Sequence, residues 1–145
     1  MEIILATRNK DKIKEIKKVL KDYSINILTL NDFKNFPYIK EDKKTIEGNA
    51  IKKAKVISRY TMKTALADDT GLEVDALNGE PGVKSARYAP GGDIDRRNFL
   101  LEKMKDVPDG KRAGRMRCVL AIYDPERGDK VRLSAGSMEI EVARE

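Results

Sequence analysis

The chain of 145 residues and 16.4 kDa is sized for one domain, and such a chain buries roughly 68–70% of its unfolded surface. One cysteine, Cys118, and no histidine exclude an intrachain disulfide, a cysteine-rich zinc site and Ser-His-Asp or Cys-His catalysis, so any metal must sit on carboxylates, which favours magnesium, manganese or calcium over zinc. A net charge of +6 suits anionic partners such as nucleotides, set against the plainer reading of a solvated lysine–glutamate surface.

Glu2–Thr7 carries a short apolar run, Ile3-Ile4-Leu5-Ala6, of buried-strand type. Thr7 or Asn9 can then cap a helix over about residues 10–22, where Ile13, Ile16, Val19 and Leu20 recur at helical spacing between lysines. Ile25–Leu30 reads as a second strand. Asn31–Lys44 is polar and irregular, and Pro37 excludes a long helix there. Thr45–Glu47 opens a second helix, with Ala50, Ile51, Ala54 and Ile57 on one face. Thr64–Ala67 reads as a third strand ending in Asp68-Asp69-Thr70-Gly71, followed by Leu72–Leu77.

Asn78–Asp93 is a turn-rich loop. Asp95 then caps a third helix bearing Phe99, Leu100 and Met104, and Val107–Gly114 is a further loop. Arg117–Tyr123 is strand-like, with Cys118 as inert core, and Lys130–Val142 reads as one or two more strands. Strands alternating with helices predict a three-layer α/β domain. The later strands lack helices between them, so the sheet should be mixed and partly antiparallel. No apolar run approaches the roughly 20 residues of a membrane span. The N-terminus is charged too early for a secretory signal, so a cytoplasmic chain without a membrane partner is expected. Lysine and arginine also segregate: residues 1–70 hold 14 Lys and 2 Arg, residues 71–145 hold 5 Lys and 9 Arg.

Four constellations can carry chemistry. Thr7-Arg8-Asn9-Lys10-Asp11-Lys12 follows a strand and opens a helix, where backbone N–H groups, the helix dipole and cations favour a phosphate. It is neither a P-loop nor a GxGxxG, and solvated lysines at a helix start are the plain alternative. Asp68-Asp69-Thr70-Gly71 places two adjacent carboxylates where open α/β sheets bind ligands. A magnesium ion would relieve their repulsion and bridge phosphates; an acidic turn with Asp69 as a cap is the alternative. Glu41, Asp42 and Glu47 lie near Lys52, Lys53 and Lys55. One of these lysines can reach a phosphate as a point charge, with a solvent-facing stripe the simpler account of Lys52 and Lys55. In Gly79–Tyr88, Ser85 and Arg87 can contact phosphate or base and Tyr88 can stack. That loop can equally cover a sheet edge or build a dimer interface.

Read together, Ile4-Leu5-Ala6-Thr7-Arg8-Asn9 with Lys12, Glu41, Asn49-Ala50 with Lys53, Leu66-Ala67-Asp68-Asp69-Thr70-Gly71-Leu72 and Pro81-Gly82-Val83-Lys84-Ser85-Ala86-Arg87-Tyr88 occur in order. The chain resembles the inosine/xanthosine triphosphate pyrophosphatase family over essentially its whole length. The resemblance implies an α/β fold with a central mixed sheet and an active-site cleft between two lobes, as a homodimer. It implies magnesium-dependent hydrolysis (manganese as a substitute) of ITP, dITP and XTP to the monophosphate plus pyrophosphate, a nucleotide-pool house-cleaning reaction. Thr7, Asn9 and Lys12 match the phosphate-binding start, although Asp11 stands where the family has glycine. Lys53 matches a triphosphate-contacting lysine, Glu41 a metal-ligating acid and Asp69 the metal ligand and general base. Asp68 supports them, and Thr70 matches a substrate-contacting hydroxyl.

Family chains continue into a GFGYDP-type stretch, a lysine and a Ser-His-Arg motif that read the purine base. This sequence stops before them, so one domain shortened at its C-terminus, with a reduced base pocket and reduced activity, is expected. The alternative is an inactive scaffold that keeps the fold and binds triphosphate weakly. A nucleic-acid-binding domain ranks last, because no recognition motif is found and aromatics are only 6%. The ADDTGL and SARY blocks argue against the related Maf-like pyrophosphatases.

Overall fold

Ile3, Ile4 and Leu5 are nearly inaccessible to solvent, as a strand with neighbours on both sides requires. The computed structural model, which describes residues 1–145, places them in β1 (Glu2–Leu5). β1 lies between two parallel partners. It pairs with β2 (Asn26–Thr29) in the register Ile3↔Ile27 and Leu5↔Thr29, and with β3 (Thr64–Val74) in the register Ile3↔Thr64 and Leu5↔Leu66. Two helices make the crossovers, α1 (Lys10–Val19) from β1 to β2 and α2 (Ile46–Thr61) from β2 to β3. The two crossovers run in opposite directions along the sheet. Right-handed connections therefore put α1 and α2 on opposite faces, the three-layer arrangement expected.

The remaining elements are β4 (Pro81–Gly82), α3 (Asp93–Lys103), β5 (Ala113–Tyr123) and β6 (Val131–Glu141). The strand order is β2-β1-β3-β5-β6, with β4 paired antiparallel to β3. The sheet is thus mixed, as the helix-free late strands predicted. None of the helices is long and apolar enough to cross a membrane.

The largest departure from expectation concerns β3. It does not end at Asp68 but runs without a break through Asp68-Asp69-Thr70-Gly71 to Val74. Its first half is held by β1, its second by β4 through Leu72↔Gly82 and Glu73↔Pro81. Gly71 is therefore a point of close approach and not a turn: a Cβ there would lie 2.6 Å from the Gly82 carbonyl oxygen. Smaller differences follow from local bonding. α1 stops at Val19, where Leu20 leaves helical geometry and Tyr23 N donates to Leu20 O in a turn. β5 begins at Ala113, well before Arg117, because Gly114 lets it lie against Glu73 and Val74. Lys130–Val142 forms one strand, not two. Cys118 is half-buried.

The chain forms two compact units. The first comprises Met1–Lys43, Glu47–Asp69 and Val119–Ser134; the second comprises Lys44–Ile46, Thr70–Cys118 and Ala135–Glu145. In the first, Ala50, Ala54 and Ile57 of α2 are buried at helical spacing, with Ile4, Leu5, Ala65 and Ala67 of the sheet also buried. In the second, Val74, Leu100, Met104 and Val142 form the core, with Leu72, Leu77, Leu101, Val107 and Ile140 against it.

Candidate functional site

The first unit holds most of the predicted site residues. β1 delivers the chain to a corner at Thr7–Asn9. Thr7 Oγ1 accepts from Asn9 N at 3.1 Å, and Asn9 Oδ1 accepts from Asp11 N at 3.0 Å and Lys12 N at 3.2 Å. Asn9 is the N-cap of α1, and these bonds satisfy donors that a helix start leaves without intrahelical partners. Thr7 and Asn9 thus build the corner. Asp11 sits in the first turn, where the positive end of the helix favours a carboxylate. Arg8 is exposed. The cap also fixes where α1 begins, and so aims Lys12: its Nζ donates to Asp68 Oδ2 on β3. Asp68 is 5% exposed, so its charge is neutralised by an ammonium group that water still reaches.

A second lysine–carboxylate pair sits on α2. Lys53 Nζ lies 2.7 Å from Glu41 Oε1. Next to it, Lys52 Nζ donates to Lys40 O and to Asp42 Oδ1, both at 2.7 Å. The Lys52 ammonium holds the Asp42 carboxyl below its ordinary value. Lys55 pairs with Asp129 at 3.0 Å. The solvent-facing stripe expected for Lys52 and Lys55 is therefore corrected: both side chains are half-buried and end on acids. Asn49, which the sequence reading gave no role, is fully buried, and its Oδ1 accepts from Lys43 N at 2.9 Å. The signal was present in the spacing 49, 52, 53, which is one helical face.

Adjacent residues of a continuous strand point to opposite faces of the sheet. The Asp68 carboxylate is matched by Lys12, which offsets the charge that Asp69 adds beside it. Asp68 faces α1 through Lys12. Asp69 is half-buried and engaged by other groups, as is Thr70. Nowhere do three acidic side chains gather as a preformed cage. Glu41, Asp68 and Asp69 nonetheless supply hard oxygen donors, the set magnesium takes together with phosphate oxygens. Two of the three are held by lysines, cations with an affinity for phosphate of their own.

Ser85 and Arg87 lie in the second unit. Ser85 Oγ donates to Gly82 O at 2.6 Å and accepts from Leu72 N at 2.9 Å. Its one proton is committed to the loop it closes. Tyr88 OH donates to Glu80 Oε2 at 2.8 Å, its ring packs edge-on to Phe99, and Lys103 Nζ sits 5.2 Å from its centroid. Tyr88 is thus built into the loop and is not an open stacking platform. Arg87 is exposed beside an open cavity of about 510 Å³, lined also by Lys84 and Lys103.

Comparison with known proteins finds relatives along the whole chain. The chain is 42% identical over 147 residues to the dITP/XTP pyrophosphatase of Desulforamulus reducens, covering 100% of this chain and 72% of that one. It is 46% identical over 125 residues to that of Geobacter sulfurreducens, covering 85% and 63%. Among solved structures it superposes on a HAM1 protein from Coxiella burnetii with a TM-score of 0.92 at 37% identity, over 100% of this chain and 74% of that one. The Staphylococcus aureus Ham1 protein gives 0.87 at 32% identity, over 99% and 73%. The chain thus spans about two thirds to three quarters of these relatives' length. Residues 3–145 match the sequence model of the Ham1 family, and the chain belongs to that family.

Proposed function

We propose that the protein hydrolyses the triphosphates of deaminated purines (ITP, dITP and XTP) to the monophosphate and pyrophosphate, in the cytoplasm. The observation that carries this reading is the doubled lysine–carboxylate pair of the first unit, Lys12 with Asp68 and Lys53 with Glu41. The relatives that bear the names of such enzymes supply the substrate class. In each pair the lysine neutralises an acid that would otherwise repel a triphosphate. When the substrate enters, Lys12 and Lys53 turn to its phosphate oxygens, and Glu41, released by Lys53, would be free to hold magnesium. Lysine suits this exchange, being a point charge on a flexible stem.

Glu41 and Asp69 are the residues to hold magnesium or manganese, which when bound neutralises phosphate charge and polarises the reacting phosphoryl group. Asp69 takes the proton of a water whose oxygen bonds to the α-phosphorus. The α–β bridging oxygen leaves with pyrophosphate. Before the substrate enters, Asp68 keeps Lys12 placed, and the Thr7–Asn9 corner sets the start of the helix that carries it. Positioning and charge neutralisation are most of phosphoryl-transfer catalysis, so a histidine-free chain is equipped for it. Arg8, Thr70 and Arg87 are candidate substrate contacts. The loop bonding of Ser85 argues for a structural role there.

The test is pyrophosphate release from dITP, ITP and XTP with magnesium, for the wild type and Asp69→Asn. Turnover that falls about 10²–10⁴-fold in the variant is the expected result for loss of a general base. Calorimetric binding of triphosphate with no release by the wild type would favour the non-catalytic alternative. Turnover of other triphosphates only would sink the substrate assignment.

A further inference from the structure

We propose that Asn49 is the positioning residue of the Glu41 segment: it anchors the backbone beside Glu41 while the lysines around it exchange partners. The geometry stands on its own; the catalytic consequence rests on the pyrophosphatase reading. Residues 38–43 have no regular secondary structure, so nothing in their own backbone fixes where Glu41 points. Three residues of α2 hold them, at positions i, i+3 and i+4 on one helical face. Asn49 meets Lys43, Lys52 meets Lys40 and Asp42, and Lys53 meets Glu41.

These contacts differ in kind. Those of Lys52 and Lys53 end on flexible, partly exposed stems, and the Lys53 contact must break if its ammonium is to reach a phosphate. The Asn49 contact uses a short side chain at 0% exposure and ends on the main chain, two residues beyond Glu41. It is also neutral. An aspartate at this position would compete with Glu41 and Asp42 for the same lysines; an amide oxygen holds the backbone without joining that competition.

The other end of the same side chain strengthens the case. Asn49 Nδ2 is buried with no acceptor in the chain. A buried donor without a partner is unfavourable, and a leucine of similar size would fill the space without it. Packing alone therefore disfavours an amide here, and the bond from Oδ1 to Lys43 N is what the amide supplies.

The experiment compares the wild type with Asn49→Leu and Asn49→Ala by amide hydrogen exchange at Lys43 and by magnesium titration of pyrophosphate release. The proposal expects exchange at Lys43 to accelerate about tenfold or more, with β1 and β3 amides unchanged. It also expects the magnesium concentration for half-maximal release to rise by a similar factor, while kcat at saturating magnesium changes less. Asn49→Asp retains an acceptor oxygen and should keep Lys43 protected. Unchanged exchange at Lys43 in both apolar variants overturns the proposal. So does uniform acceleration throughout the first unit, which would make Asn49 a core residue only. If the wild type releases no pyrophosphate, the pyrophosphatase reading fails, while the exchange data still decide whether Asn49 is the anchor.

Discussion

The lysines of the candidate site in the first compact unit and the most buried cation of the second use positive charge in opposite ways. In the first, the cations near the candidate site are lysines, and they end on carboxylates: Lys12 on Asp68, Lys53 on Glu41, Lys52 on Asp42. In the second, the most buried cation is an arginine that ends on main-chain carbonyls. Arg112 is 3% exposed. It donates from Nε to Val142 O at 2.9 Å, from Nη1 to Met104 O at 2.7 Å and Val107 O at 3.0 Å, and from Nη2 to Ala143 O at 3.0 Å. A planar fork that fills four carbonyl positions has no cheap alternative partner. An ammonium on a flexible stem facing one carboxylate does.

Breaking the fixed side should have the largest effect on stability. Arg112→Met leaves several buried carbonyls unpaired and should cost about 3–5 kcal/mol, read as a lower urea midpoint. Arg112→Lys should fail to restore it, because one ammonium cannot reach all four acceptors. Breaking the exchangeable side should do the reverse. Lys53→Met should lower turnover of dITP about 10²-fold while changing stability by about 1 kcal/mol or less, as partly exposed pairs do. Lys12→Met should lower turnover similarly but also cost more stability, because it strips the buried Asp68 of its counter-charge. Equal losses of stability on the two sides would erase the distinction between them.

Gly71→Ala probes the strand that carries Asp68 and Asp69. Its Cβ would fall 2.6 Å from the Gly82 carbonyl oxygen, so β3 or β4 must shift, at about 1–3 kcal/mol. The smallest effect is on acid stability. Hydrogen bonds from Lys52 and Lys55 hold the Asp42 and Asp129 carboxyls below their ordinary value of 3.8. Groups depressed in the folded state stabilise it above their unfolded values and lose that contribution as pH falls through the folded ones. A thermal melt should therefore fall only slightly as pH drops below about 4, and Lys52→Met should flatten that fall.

Much of the fold was legible because its signals are local. The run Ile3–Ala6, the helical spacing of Ala50, Ala54 and Ile57, and the cap at Asn9 each dictate their element with few neighbours. The course of β3 was not legible. Asp-Asp-Thr-Gly reads as a turn by local chemistry, and it is pairing of β3 with strands distant in sequence that keeps it extended. The site divided along the same line. Lys12, Glu41, Lys53 and Asp68 were named through the family resemblance, and the structure pairs Lys12 with Asp68 and Lys53 with Glu41. The helical spacing of Asn49, Lys52 and Lys53 puts them on one face, but their roles depend on a loop with no regular structure of its own, so the spacing alone did not say what that face holds. Ser85 and Tyr88 looked available for substrate because sequence does not show that a hydroxyl's proton is already committed.

The most direct test of the contrast is to follow the side-chain nitrogens of Lys12, Lys53 and Arg112 by NMR while dITP and magnesium are added. The account predicts that the two lysine Nζ resonances shift as their carboxylates are exchanged for phosphate, while Arg112 Nε stays where it is. Lysine resonances that do not move under conditions where pyrophosphate is being released would contradict it.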